Sequence, residues 1–182
     1  MSRWRDCRLP VIGPSLKLEI VLCHYSLGGA AYGILGLTAC IAMDRVAATL
    51  VLRSDGAALL QHRDDKPGLR HANMWGPPGG HIDPGELIDD CARRELYEES
   101  GYKASDLKFL MSFEDAVEGW PTYQLTIFWC WYDGMQSIVC NEGQALDFIK
   151  RSTAGNYAIP DFIVHAWDAA LAVAGITMEK YS

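Results

Sequence analysis

GGHIDPGELIDDCARRELYEESGY, residues 79–102, is the stretch on which the reading of the whole chain turns. It opens as a glycine-rich loop, continues as a short segment with helical spacing, and closes on Gly101, well placed as a C-terminal helix stop. Ala92 and Leu96 stand at i and i+4 and can face a sheet. Glu95, Glu98 and Glu99 stand at i, i+3 and i+4, so a helix puts all three carboxylates on neighbouring surface. Like charges at that spacing destabilise a lone helix by roughly 0.2–0.5 kcal/mol per pair. A solvated acidic face is the ordinary meaning of such a cluster. The alternative is a hard divalent cation with oxygen ligands, which would offset the repulsion.

The complete spacing favours the cation. The stretch has the form G-x5-E-x7-R-E-U-x-E-E-x-G-U, where U is apolar. Gly80, Glu86, Arg94, Glu95, Leu96, Glu98, Glu99, Gly101 and Tyr102 fill the fixed positions. It resembles the Nudix box, with Tyr102 standing where an aliphatic residue is more common. The resemblance implies an α/β Nudix fold, a mixed β-sheet sandwiched between helices. It implies Mg2+ (or Mn2+) as cofactor and hydrolysis of a nucleoside diphosphate linked to a further group. Glu98 and Glu99 are then expected as metal ligands, with the backbone carbonyl of Gly79 a further one. Glu95 is expected to bind metal directly or through water and to act as general base. Arg94 is expected to orient the glutamates, because a guanidinium fork holds two carboxylate oxygens at once, and Glu86 to fix the loop against the helix. Glu142-Gly143-Gln144 resembles the Glu-Gly-Gln loop of MutT-type nucleoside triphosphate pyrophosphohydrolases, which implies Glu142 as another metal ligand. Glu114, Asp115 and Glu118 compete for that role.

Two residues are candidates for the substrate. Arg63, after the second strand, can bind a phosphate or stand as an ordinary solvated arginine. Asp161, at the mouth of the last helix, can accept from a guanine or cytosine amino group, although acids at helix starts also serve as caps. Trp75 and Trp120 can stack a base or fill the core. The five histidines show no ligand spacing.

Composition narrows the partners. With 182 residues the chain is long enough for one domain with a real core. A net charge of −7 and no basic stripe argue against a nucleic-acid polymer. A small nucleotide remains compatible, because a metal can bridge the two sets of negative charge. Six cysteines without a C-x-x-C pair read as reduced cytosolic thiols. A cytoplasmic monomer or homodimer is expected.

Residues 1–42 form a leader of doubtful role, set apart from a domain over 43–182. The leader carries four basic and two acidic residues, against 12 basic and 21 acidic from Met43 onward. Ile20 to Met43 has no charged residue and imitates a signal or membrane segment. Glycines, His24 and Ser26 dilute it, and export would carry the domain away from cytosolic nucleotides. The expectation is a start assigned too early, with the working chain beginning near Met43.

Beyond the leader, strands are expected over Val46–Arg53, Ala58–His62, Leu107–Phe113, Tyr123–Tyr132 and Ala145–Ile149. Ser54-Asp55-Gly56 supplies hairpin chemistry, Arg63–Asn73 reads as a polar loop, and Trp75–Gly80 as a stiff turn. In the strand from Tyr123, Leu125, Ile127, Trp129 and Trp131 share one face, with Phe128 and Cys130 on the other, so both faces are expected to be covered. Pro160 opens the last helix, with Ile163, Trp167, Leu171 and Ala174 on one stripe.

The function expected is conversion of a nucleoside triphosphate, oxidised or not, to monophosphate and pyrophosphate. The same chemistry on ADP-ribose, a nucleotide sugar or a dinucleotide is the second reading. A non-catalytic nucleotide-sensing module is the third, disfavoured by the intact acidic set.

Overall fold

A computed structural model describes residues 43–176, and the expectation for the leader falls outside them. The strands are β1 (Asp44–Leu52), β2 (Ala58–His62), β3 (Trp75–Gly76), β4 (Gly79–His81), β5 (Lys108–Asp115), β6 (Tyr123–Trp131) and β7 (Ala145–Ile149). Helix α1 spans Ile88–Ser100 and α2 spans Asp161–Val173, with a short 3-10 turn at Arg151–Asn156. The strand order is β3-β2-β1-β6-β5, with β4 also pairing β1 and β7 also pairing β2.

The sheet is mixed. β1 and β6 run parallel over their whole length, from Asp44 opposite Tyr123 to Leu52 opposite Trp131. β1 and β2 form an antiparallel hairpin registered at Leu52 and Ala58. Gly56 makes its turn with φ +80, and Arg53 forks onto Asp55 at 2.8 and 2.6 Å. Farther along, β1 takes β4 as its partner while β2 takes β3 and β7. Residues 75–81 therefore cross from β2 to β1, and the box begins at that crossing.

The period of two along β1 explains how both sheet faces are covered. Val46, Ala48, Leu50 and Leu52 join Leu125, Ile127, Trp129, Ile163, Trp167 and Leu171 in the core under α2. On the opposite face Ala47 packs with Cys91, Ala92 and Phe128, while Val51 packs with Leu96, Tyr102 and Cys130. The largest fully buried side chain, Trp167, donates from its indole nitrogen to the Gly56 carbonyl at 3.0 Å, so its burial leaves no donor unpaired. Helix α1 stops at Gly101, whose φ of +69 suits glycine, and whose N–H caps the Tyr97 carbonyl.

Three local expectations need correcting. Trp131, expected on a covered face, is 39% exposed: β5 pairs only as far as Lys108 opposite Trp129 and leaves the end of β6 uncovered. The turn Trp75–Gly80 contains two short strands, β3 and β4, separated by Pro77 and Pro78. The fifth strand runs on to Asp115, two residues beyond its expected end. No helix among the described residues is long and apolar enough to cross a membrane.

Candidate active site

Arg94 is the hub of the site. Its Nε and Nη2 donate to the two Glu86 carboxylate oxygens at 2.8 and 2.9 Å. Its Nη1 donates to Glu95 Oε1 at 2.6 Å and to Glu98 Oε2 at 3.2 Å, and Nη2 also reaches the His81 carbonyl at 3.1 Å. One side chain thus ties β4, the loop after it and the helix together. The Arg94 guanidinium, with the Asp83 N–H, holds the Glu86 carboxyl down at about 2. Carboxylates on Arg94 in turn push its own pKa upward.

The remaining glutamates are under strain of charge. Glu99 is 4% exposed and accepts from the Gly79 N–H at 3.1 Å. Burial pushes its pKa up to about 8; Glu142 and Glu95 add to the rise, while the Gly79 N–H and Arg63 oppose it. Glu95 is also raised, first by burial, with Glu98 and Glu142 adding and Arg94 opposing. Glu98 is the outermost of the three, with 56% of its side chain exposed.

The Glu142 loop is fastened to the helix. The Asn141 N–H donates to the Glu99 carbonyl at 3.0 Å, and Asn141 Nδ2 to the Glu98 carbonyl at 2.9 Å. This brings the Glu142 carboxylate close enough to act on Glu95 and Glu99. Its competitors stand elsewhere. Glu114 and Glu118 are exposed, and neither figures among the charges that shift Glu95 or Glu99. Asp115 is only 6% exposed and is taken up by an ion pair with Arg70 Nη2 at 3.0 Å and a contact with His71 Nε2 at 3.2 Å.

A cavity of about 410 Å3 adjoins the box, with Gly79 and Gly80 in its wall and Arg63, His71, Trp75, Trp120, Tyr123 and Phe162 around it. That volume and aromatic lining are typical of a small-molecule site. Arg63 is half-buried there, its Nε is buried without a hydrogen-bond partner, and no ion pair among the described residues engages it. Asp161, by contrast, is exposed and is not part of the wall, which takes Pro160, Phe162 and Ile163 instead. Trp75 lines the cavity but is already stacked on His62, with centroids 4.8 Å apart and planes 3° apart. Trp120 lines it as well and is 38% exposed.

Arg70 escaped the sequence reading. It lies in a stretch that reads as a polar loop, yet it is 9% exposed. It donates to the Pro121 and Asp115 carbonyls at 2.7 and 2.8 Å and covers the Tyr123 ring at 4.2 Å. No periodicity marks such a residue, because its partners come from a loop some fifty positions away.

The donor chemistry suits a hard divalent ion: carboxylate oxygens, partly desolvated, with Glu95 and Glu99 both raised by burial and by neighbouring carboxylates. Among the described residues no three acidic, histidine or cysteine side chains form a ready-made shell. Arg94 draws Glu95 and Glu98 to its fork, while Glu99 turns to the Gly79 N–H.

The NUDIX domain model matches residues 43–153. The chain belongs to the Nudix family. Among Nudix relatives, an NAD-capped RNA hydrolase of Pongo abelii is 31% identical over 128 residues, 66% of this chain and 24% of that protein. An asymmetrical bis(5'-nucleosyl)-tetraphosphatase of Mus musculus is 46% identical over 55 residues, 30% of this chain and 33% of that protein. The chain spans 22% to 42% of the length of the curated relatives it matches. A solved structure of a MutT protein from Methanosarcina mazei Go1 superposes with a TM-score of 0.62, covering 74% of this chain and 96% of that one. At 15% identity this likeness shows the fold: a mixed sheet flanked by helices.

Proposed function

We propose that this Nudix chain is a metal-dependent pyrophosphohydrolase, acting on a nucleoside triphosphate to give monophosphate and pyrophosphate. The observation that carries the reading is the meeting of two things at Gly79 and Gly80: a desolvated carboxylate cluster, and a cavity holding an unpaired arginine. The Arg63 Nε is buried without a hydrogen-bond partner, and the guanidinium acts on the Glu99 charge without an ion pair at contact distance among the described residues; a phosphate is the group that would match its free donors. Arg63 is therefore read as the phosphate-binding residue.

Glu98, Glu99, Glu95, Glu142 and the Gly79 carbonyl would hold Mg2+ or Mn2+, and a bound ion would neutralise phosphoryl charge and align the diphosphate. Glu95 is read as the general base. Its raised pKa suits it to take the proton of the attacking water while the anhydride bond breaks and pyrophosphate leaves. Arg94 keeps that carboxylate aimed, with Glu86 bracing the other side of the fork. Residues 43–182 are read as the working domain, placed in the cytosol where its substrates are.

The MutT-like assignment draws support from the Glu142 loop lying against Glu99. A dinucleotide is the second reading, favoured by the likeness to the bis(5'-nucleosyl)-tetraphosphatase, whose name implies a substrate with a phosphate chain. A long RNA fits less well with the acidic balance of the domain. Purified protein with Mg2+ should be screened against triphosphates, ADP-ribose and bis(5'-nucleosyl) tetraphosphates. The highest kcat/KM is expected for a triphosphate, with pyrophosphate released. A higher value for ADP-ribose than for every triphosphate would overturn the assignment.

A further inference from the structure

The loop Arg63–Met74 supplies Arg63, Arg70 and His71 to the cavity, and it is closed on itself at its base. Arg63 N–H donates to the Met74 carbonyl at 3.0 Å, and Asn73 N–H to the Asp64 carbonyl at 3.2 Å. Asn73 sits at φ +58, uncommon for a residue with a side chain. A side chain from a distant segment spans both stems of this loop. Gln144 Nε2 donates to the Arg63 carbonyl at 2.7 Å and to Asn73 Oδ1 at 3.2 Å, using the two protons of one amide. The Gln144 backbone N–H also donates to the His62 carbonyl at 2.7 Å.

The segment that carries Gln144, residues 141–144, reaches the carboxylate cluster at its other end. Asn141 is bonded to the Glu98 and Glu99 carbonyls, and Gln61 Nε2 donates to the Glu142 carbonyl at 3.2 Å. Between them Gly143 adopts φ +77, and a β-carbon there would stand 2.6 Å from the His62 carbonyl oxygen. Only glycine lets the segment close this tightly on β2. Residues 141–144 are therefore a strut, with the glutamate helix at one end and the base of the cavity loop at the other.

Gln144 itself is exposed. Hydrogen bonds at an exposed site add little net stability, because water competes for both partners. Their consequence here is geometric: they fix the backbone of Arg63, from which an unpaired guanidinium enters the cavity.

We propose that Gln144 is a positioning residue, whose side-chain amide clamps the two stems of the loop and so aims Arg63 at the substrate diphosphate. The proposal rests on the reading of Arg63 as a phosphate-binding residue and gives the third position of the Glu-Gly-Gln loop a task separate from that of Glu142.

The test is a double-mutant cycle with R63A, Q144A and their combination, plus Q144M, which keeps the bulk but lacks the donors. Affinity for inorganic pyrophosphate in the presence of Mg2+ is measured by calorimetry, and kcat and KM with the triphosphate turned over best. Affinity for Mg2+ alone and the unfolding temperature are recorded for each variant. Q144A and Q144M should weaken pyrophosphate binding and raise KM about three- to tenfold, the loss expected for one or two orienting hydrogen bonds. Mg2+ affinity and kcat should change far less. The double variant should bind no more weakly than R63A alone, because the amide acts only through the arginine. Additive losses, an unchanged pyrophosphate affinity in Q144A, or an equal loss of Mg2+ affinity would each overturn the positioning role while leaving an R63A defect in place. Wild-type binding by R63A would instead remove the phosphate reading and the proposal together.

Discussion

The carboxylate of Glu95 lies directly over the bare Cα of Gly80, so that a β-carbon at position 80 would stand 2.5 Å from the Glu95 carboxyl carbon. The two residues are fifteen positions apart, and the close approach is what lets α1 press its acidic face onto the loop it follows.

Replacing Gly80 by alanine should therefore push the Glu95 carboxylate aside, since a flexible side-chain end yields more readily than backbone. Turnover should fall at least about tenfold, as expected when a supporting position is disturbed, with a small change in unfolding temperature. The neighbouring change Gly79→Ala meets backbone instead, the Ala47 carbonyl oxygen at 2.3 Å, and should destabilise the β1–β4 pairing. Equal kinetics for G80A and wild type would detach Glu95 from the reaction.

Glu99 makes metal binding depend on pH. With its pKa raised to about 8, the carboxyl holds a proton through most of the range from pH 6 to 8, and a cation must displace it. Mg2+ affinity should fall as pH is lowered from 8 to 6, by up to about tenfold per unit for one proton. The metal-free protein should show the opposite trend in stability. Its folded state keeps a proton that the unfolded state loses near the ordinary carboxylate value, so stability falls as pH rises from about 5 to 8. Calorimetry across that range, in buffers of different ionisation heat, reads both affinity and proton release. A pH-independent affinity would count against Glu99 as a ligand.

Asp115 belongs to the scaffold. It faces Arg70 and His71, and burial together with its carboxylate pushes the Tyr123 hydroxyl up to about 12. Changing Asp115 to alanine strands the buried Arg70 charge and should cost about 3–5 kcal/mol in denaturant unfolding. Mg2+ affinity in the folded fraction should be unaffected. A selective loss of metal binding at unchanged stability would return Asp115 to the list of ligands.

The sequence was most informative where one stretch carried its own geometry. The helix with Ala92 and Leu96 inward, its stop at Gly101, and the strands Ala58–His62 and Ala145–Ile149 follow from local spacing and turn residues, and the structure has them at those positions. The parallel pairing of β1 with β6 is a relation between segments some eighty residues apart, and nothing local encodes it. For the same reason the cavity was only partly visible. Arg63 could be suspected from its place after a strand, but Phe162 and Arg70 reach the same cavity from other segments. Asp161, by contrast, is exposed at the start of α2 and outside the cavity wall, whereas Phe162 and Ile163 belong to it.

The central claim is that the glutamates of α1 carry the chemistry. Steady-state hydrolysis of the best triphosphate at saturating Mg2+, by wild type, E98Q and E99Q, tests it most directly, with unfolding curves run beside each assay. Each substitution keeps the side-chain shape and removes one carboxylate charge. Turnover should fall by at least about 100-fold, beyond what changes outside the ligand set usually cost, while both variants remain folded. Folded variants that turn over at close to the wild-type rate would contradict the account.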